Sequence, residues 1–316
     1  MTTRFASTRA LALAATVVLW ASAFPAIRVG VSGLGVPGLS LLRLAAASAA
    51  LALVAPVLNV RRPGRRDLPL IAVCGASGMS AYQLLLNWGE VRVPAGPASL
   101  LVVTAPIFSV LLGAAFLGER LTRPVMAGSL IALAGAAVIA LAGGSARFSA
   151  SALVVLAAAA AQGVYHVASK PLLTRHTSLE VACYAIWAGM VFLVPLGPAA
   201  LHALAHAPAI AVGSMVYLGL LPSALGFVAW GYAVARLPLA TATGALYLVP
   251  PVALLVAFAW LGERPSLIAL AGGLASIGGV MLINRRRPAR RADPYGQVRV
   301  TPPSAPCPAS PGISRE

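Results

Sequence analysis

One stretch of this chain is written twice. Residues 106–120 read PIFSVLLGAAFLGER and residues 250–264 read PPVALLVAFAWLGER, 144 positions later, with seven of fifteen positions identical. The shared positions are the opening proline, Leu111 and Leu255, Ala115 and Ala259, and the whole Leu-Gly-Glu-Arg end. The same offset pairs Arg92 with Arg236, Pro94 with Pro238 and Ala98 with Ala242 upstream. Downstream it pairs Gly128 with Gly272 and Gly135 with Gly279. A register held without a gap over about forty residues marks a duplicated unit, so the chain must fold as two copies of one structure.

Composition says where those copies sit. The chain has 316 residues, 59% of them hydrophobic and 9% charged. A soluble domain carries roughly 25% charged residues, so this is a membrane protein. Apolar runs near the ~20 residues that cross a bilayer as a helix recur along the chain, whereas the short alternating segments of a membrane β-barrel are absent. The net charge of +16 is spread over short loops and the tail beside apolar runs, which points to a lipid bilayer as partner and away from nucleic acid. Cys74 and Cys183 fall in apolar runs and Cys307 in the tail, a distribution that implies no disulfide framework, metal site or cofactor.

Met1–Ala10 carries Arg4 and Arg9 before an apolar run that reaches Ala21-Ser22-Ala23. That pattern also fits a signal peptide, but the repeat requires the run as a helix. Further runs cover roughly 37–58, 68–88, 94–117 and 124–142, then 150–169, 179–196, 209–235, 240–261 and 266–283. The expected fold is all-α and integral to the membrane, with ten transmembrane helices as two five-helix repeats, 1–145 and 146–285. A basic, Pro-rich tail at 286–316 reads as disordered. Five helices per copy force the second copy to enter from the opposite face, so the repeats are inverted. With both termini on one side, that side collects sixteen cations, among them the four arginines of 61–66, Arg120, Arg123, Lys170, Arg175, Arg236 and the cluster at 285–291. Only Arg28, Arg92, Arg147 and Arg264 lie on the other. The bias makes the termini cytoplasmic in a cell membrane.

These residues resemble the drug/metabolite transporter superfamily in its ten-helix EamA-type form. The resemblance is carried by Trp20-Ala-Ser-Ala-Phe24 with Arg28, by Arg43, and by the Pro106…Leu-Gly-Glu-Arg120 segment with its copy at 250–264. Tyr217-Leu-Gly-Leu-Leu-Pro-Ser-Ala-Leu, followed by Trp230-Gly-Tyr-Ala, belongs to it too. It covers residues 10–285 and departs from the pattern at Gln162 and Pro222. It implies carriage of a small metabolite by alternating access.

Inverted repeats place substrate near the midplane between the halves, so site candidates are polar or aromatic groups inside helices. Arg43 is the sharpest: a charge in a membrane helix is costly and faces a cavity or a partner. It either reads a substrate carboxylate or snorkels to the headgroups. Gln162, Tyr165 and His166 cluster on the sixth helix, where His166 either couples transport to protons or stays neutral and hydrogen-bonded. Trp20, Tyr82, Trp187, Trp230 and Tyr247 either line an aromatic cavity for an amphipathic substrate or join the interfacial belt. Pro25, Pro106, Pro222 and Pro250 are bend points, and Pro25 is expected to kink the first helix. Glu119 and Glu263 read as helix-start carboxylates paired with the adjacent Arg or with solvent. Small faces at Gly128, Ala132, Gly135 and at Gly272, Ser276, Gly279 serve packing within the protomer or a homodimer contact. None of the seven acidic residues is read as deep in a helix, so no carboxylate relay is expected. No HExxH, phosphate loop or nucleophile elbow is visible. The expected function is outward transport of a small organic metabolite. Within transport the alternative is an amino-acid exporter with Arg43 on the carboxylate. From another class it is an integral membrane enzyme or lipid-modifying protein.

Overall fold

The computed structural model describes residues 2–117, 123–142, 146–236 and 245–284. Glu119, Arg120, Pro238, the 143–145 link and the tail lie outside the described residues, as does the side chain of Tyr247. Every regular element among the described residues is helical. Six helices are long and apolar enough to cross a membrane, and shorter apolar helices cover Met126–Val138, Val249–Leu261 and Leu267–Gly279. Large side chains such as Leu130, Leu153, Val191, Leu255 and Leu274 are exposed on the outside, an apolar surface that lipid covers.

The first helix, α1 (Thr2–Val54), holds two apolar runs joined at a corner. Gly35 makes that corner, with φ 65° and ψ 174°, a region open to glycine alone. The expected kink at Pro25 is not the break, since helical φ/ψ continue through it. Val17, Ala21, Phe24 and Ile27 are core residues, so the first run is a packed member of the bundle.

The third run divides into α2 (Leu68–Cys74), a π-helical stretch Gly75–Ala81, and α3 (Tyr82–Glu90). The fourth divides into α4 (Ala95–Val102) and α5 (Ala105–Leu117), with Pro106 in the first turn of α5, where its missing N–H is tolerated, whereas it would break a continuous helix. Next come α6 (Arg123–Ala142), α7 (Ala146–Leu173) and α8 (Ser178–Leu193), the last opened by a capping box of Thr177 and Glu180. Residues between runs seven and eight, expected as a loop, form α9 (Gly197–His206), an Ala/Leu-rich stretch with proline at its start. The eighth run repeats the plan of the third: α10 (Ala209–Leu218), a π-helical stretch Gly219–Leu225, then α11 (Gly226–Val234). A short 3-10 turn, Leu246–Leu248, leads into α12 (Val249–Leu261), and α13 (Leu267–Asn284) closes the bundle.

The packing is reciprocal at the offset read from the sequence. The two π-helical stretches lie 144 positions apart. At Gly75 an added Cβ would lie 2.6 Å from the Cβ of Ala188 and the N of Gly189 in α8. At Gly219 it would lie 2.6 Å from the Arg43 carbonyl and 2.7 Å from the Ala46 Cβ in the second part of α1. The last helices of the two halves meet the same way. Gly135 in α6 abuts Gly272 and Ser276 in α13, and Gly279 in α13 abuts Gly128 and Ala132 in α6. The Ser276 hydroxyl donates to the Ala132 carbonyl across this contact at 2.9 Å. The small faces therefore pack within the protomer.

Candidate functional site

Side chains from both halves enclose a cavity of about 780 Å³ of atom-free space, counted out to its open mouth. The first part of α1 supplies Trp20, Phe24 and Ile27, its second part Arg43, and α3 supplies Tyr82, Gln83 and Leu86. The broken fourth run contributes Ser99, Val103 and Pro106; α7 contributes Gln162 and His166. Pro222 of the second π-helical stretch, Phe227 of α11, and Leu246 with Pro250 close the wall.

The lining is mostly apolar, with a few polar groups whose bonding capacity is unused. Arg43 is 5% exposed, and its Nη2 donates to Ser223 Oγ at 3.2 Å. Its Nε has no partner, nor do both amide atoms of Gln83 and Oε1 of Gln162. A buried polar group left unpaired costs about 1–3 kcal/mol, so three such residues around one cavity are poised for a ligand's polar atoms. The Arg43 side chain is buried inside the protein.

The aromatic wall is held in place from behind. The Trp20 indole N–H donates to the Pro222 carbonyl at 3.2 Å, and its ring packs on Phe227 and Trp230 at 5.2 and 5.5 Å between centroids. Gly226 leaves room for that indole, since a Cβ there would lie 2.8 Å from its nitrogen. His166 Nδ1 is 3.0 Å from Ser109 Oγ, Nε2 is 3.4 Å from Gln162 Nε2, and its ring lies 5.8 Å from Trp230.

Of the residues singled out from sequence, the structure brings Trp20, Arg43, Tyr82, Gln162 and His166 to the cavity, with Pro106, Pro222 and Pro250. Tyr165 and Trp230 lie one layer back. Tyr165 packs against Gly78 and edge-on to Phe227, while Trp230 backs Trp20 and His166. Trp187 is tied to the second part of α1, its indole donating to the Ser48 carbonyl at 3.3 Å. Gln83, Ser99 and Phe227 line the cavity although sequence reading passed them over.

A carboxylate was missed as well. Glu90, the last residue of α3, is 1% exposed, and neither oxygen has a hydrogen-bond partner. Sequence reading expects no acid deep in a helix; Glu90 sits at a helix end, and its burial is what that reading does not foresee. The signal was present: Gln83, Asn87 and Glu90 form one polar stripe on an otherwise apolar segment, at i, i+4 and i+7.

Ion pairs clasp the two ends of the bundle. At one end Arg28 Nε meets Glu263 Oε1 at 3.3 Å, and Arg28 Nη1 donates to the Glu90 carbonyl at 2.6 Å. Glu263 Oε2 accepts the Ala95 N–H at 2.9 Å. Glu263 thus pairs across the fold with Arg28, and the expected pairing with its neighbour Arg264 gives way because that guanidinium lies over Phe258. At the other end Asp67 takes Arg175 at 2.7 Å and His176 at 2.8 Å. Beside them Glu180 accepts the Arg61 N–H at 3.2 Å and lies 3.5 Å from Arg61 Nε.

An apolar helical bundle around a cavity with unpaired polar groups, clasped at both ends, defines a multi-pass membrane transporter. The chain belongs to the EamA-like transporter family, which it matches over residues 8–141 and again over 149–285. It is 68% identical over 282 residues to the "Probable terminal-alkyne amino-acid exporter" of Streptantibioticus cattleyicolor, covering 89% of this chain and 95% of the relative. It is 38% identical over 263 residues to the uncharacterized transporter YdfC of Bacillus subtilis, covering 83% and 86% respectively. A solved crystal structure shares the fold, with a TM-score of 0.59 at 21% identity over 87% of this chain and 96% of that one. The protein is a transporter of the EamA-like family.

Proposed function

We propose that this protein exports a small α-amino acid with a short apolar side chain, a terminal-alkyne amino acid fitting best. The observation that carries the reading is Arg43, a cation buried at the cavity wall with an unused N–H. A guanidinium fork matches a carboxylate in geometry and charge. The unpaired amide oxygens of Gln83 and Gln162 suit the ammonium of the same ligand. Phe24, Ile27, Val103 and Phe227 offer an apolar wall for a slender side chain. The name of the relative at 68% identity supports the same class. A carrier is favoured over a membrane enzyme by the match of both halves of the chain to a transporter family.

Transport proceeds by alternating access between two inverted five-helix repeats, with the termini in the cytoplasm. Counting the corner at Gly35 as a membrane re-entry turns the six long helices into seven spans, and the three shorter apolar helices make ten. The reciprocal contacts at an offset of 144 and the double family match support the duplication. The Arg28–Glu263 clasp then lies at the outer face and the Asp67–Arg175–His176 clasp at the inner. The breaks at Pro106 and Pro250 and the π-helical stretch at Pro222 abut the cavity and supply the bends for rocking.

Counterflow tests the substrate. Proteoliposomes preloaded with unlabelled propargylglycine should take up labelled propargylglycine, with competition from other small apolar α-amino acids. The N-acetyl derivative and the methyl ester, each lacking one charge, should not compete. No counterflow of any free amino acid would rule the reading out.

A further inference from the structure

The carboxyl group of Glu90 has no part in the site described above, yet its surroundings are specific. It ends the stripe Gln83–Asn87–Glu90, whose first member lines the cavity. Asn87 donates to Ser40 Oγ at 2.8 Å and keeps its Oδ1 unpaired; Gln83 leaves both amide atoms unpaired. The stripe is a polar path about two turns long from the cavity to the Arg28–Glu263 clasp. The charged and titratable groups that act on Glu90 are Arg28 and Arg43 from α1, Tyr82 from its own helix, and Glu263 from the turn after α12. Arg28 reaches Glu90 through the main-chain oxygen and gives its side-chain pairing to Glu263.

An ionised carboxylate with no hydrogen bond in a buried site is untenable. Arg28 bonds the main chain of one acidic residue and the carboxylate of another.

We propose that Glu90 is a proton-binding site, and that proton occupancy decides whether Arg28 pairs with Glu263 or with Glu90. This rests on the exporter reading with its outer clasp at Arg28–Glu263. With Glu90 protonated, Arg28 stays on Glu263, the pairing the structure holds, and the outer end is shut. Once substrate enters from the cytoplasm, the Glu90 proton leaves through Asn87, Gln83 and the cavity to the inner compartment. The anion left behind draws Arg28 off Glu263, the outer clasp parts, and substrate departs. A proton from outside then binds Glu90 and returns Arg28 to Glu263. One cycle moves one amino acid out and one proton in, with no covalent change.

Two measurements test this. Infrared spectroscopy of the purified protein at neutral pH should show the C=O band of a protonated carboxyl group that vanishes in Glu90→Gln and persists, shifted, in Glu90→Asp. In proteoliposomes, an inside-acid pH gradient, in the orientation that drives antiport, should accumulate propargylglycine above equilibrium. Glu90→Gln, neutral like the protonated acid, should hold Arg28 on Glu263 and abolish both accumulation and exchange, whereas Glu90→Asp should retain accumulation with a displaced pH profile. Absence of the band from the wild type, or accumulation that survives in Glu90→Gln, overturns the proposal. Failure of wild-type counterflow with propargylglycine would count against the substrate reading alone, and the infrared band would still decide Glu90.

Discussion

Replacing Arg43 with Gln should lower propargylglycine counterflow, expressed as kcat/KM, by about 100-fold. The guanidinium is buried, hydrogen-bonded only to Ser223 among the described residues, with Nε unpartnered, and Arg43 lines the cavity. Truncating one partner of a buried charge pair costs about 2–5 kcal/mol, and each 1.4 kcal/mol is roughly tenfold, so 100-fold is a cautious figure. Arg43→Lys keeps the charge but loses the planar fork, and should recover only part of the rate. Elution of each variant as a monodisperse peak would separate a transport defect from a folding one. An Arg43→Gln protein with near wild-type kinetics would remove the guanidinium from substrate recognition.

Gly135→Leu should unfold the protein several degrees earlier. A Cβ at Gly135 would stand 2.5 Å from the Gly272 carbonyl and 2.6 Å from the Ser276 nitrogen. Those are backbone atoms of a facing helix, and they cannot rotate away. The leucine must push α6 and α13 apart, losing the Ser276 bond to the Ala132 carbonyl as well. Overpacking of this kind costs about 1–3 kcal/mol, and for a chain this size each kcal/mol corresponds to roughly 2–4 °C in Tm. Gly279→Leu should match it, because Gly279 meets Gly128 and Ala132 in the reciprocal contact. Gly278→Leu is the control: nothing lies within 4 Å of a Cβ built there, so its melting point should stay put. Equal melting curves for Gly135→Leu and Gly278→Leu would refute the packing account.

The parts of this molecule legible from sequence are those fixed by periodicity and composition. Apolar runs of membrane length and the offset between the two copies required no tertiary knowledge. Gly128, Gly135, Gly272 and Gly279 stood out because two helix backbones touch there, and little besides a small residue fits. Arg43 stood out because its charge was solitary in an apolar run. The π-helical stretches were invisible, since GASGMSA and GLLPSAL have almost nothing in common. What they share is an opening glycine, Gly75 or Gly219, against which a neighbouring helix packs closely. The breaks within the fourth and ninth runs were signalled by Pro106 and Pro250, yet hydropathy reads straight across them. Glu90 was missed for a different reason. It closes an apolar run, where a charge is ordinarily a solvated end. The residues that enclose and bias it, Arg28 and Glu263, lie 62 and 173 positions away. Likewise Gln83 and Phe227 become cavity residues only once both halves are assembled.

The account turns on two five-helix units facing opposite ways across the bilayer, with the Arg43 cavity between them. Site-specific labelling tests this most directly. Single cysteines, in a background without the native ones, are placed after Arg66 and near Gly144 and probed with a membrane-impermeant maleimide in intact cells. The cysteine near Gly144 should label from outside, and the one after Arg66 only after the cells are opened. Both reacting from the same side would contradict the opposed arrangement and the alternating access built on it.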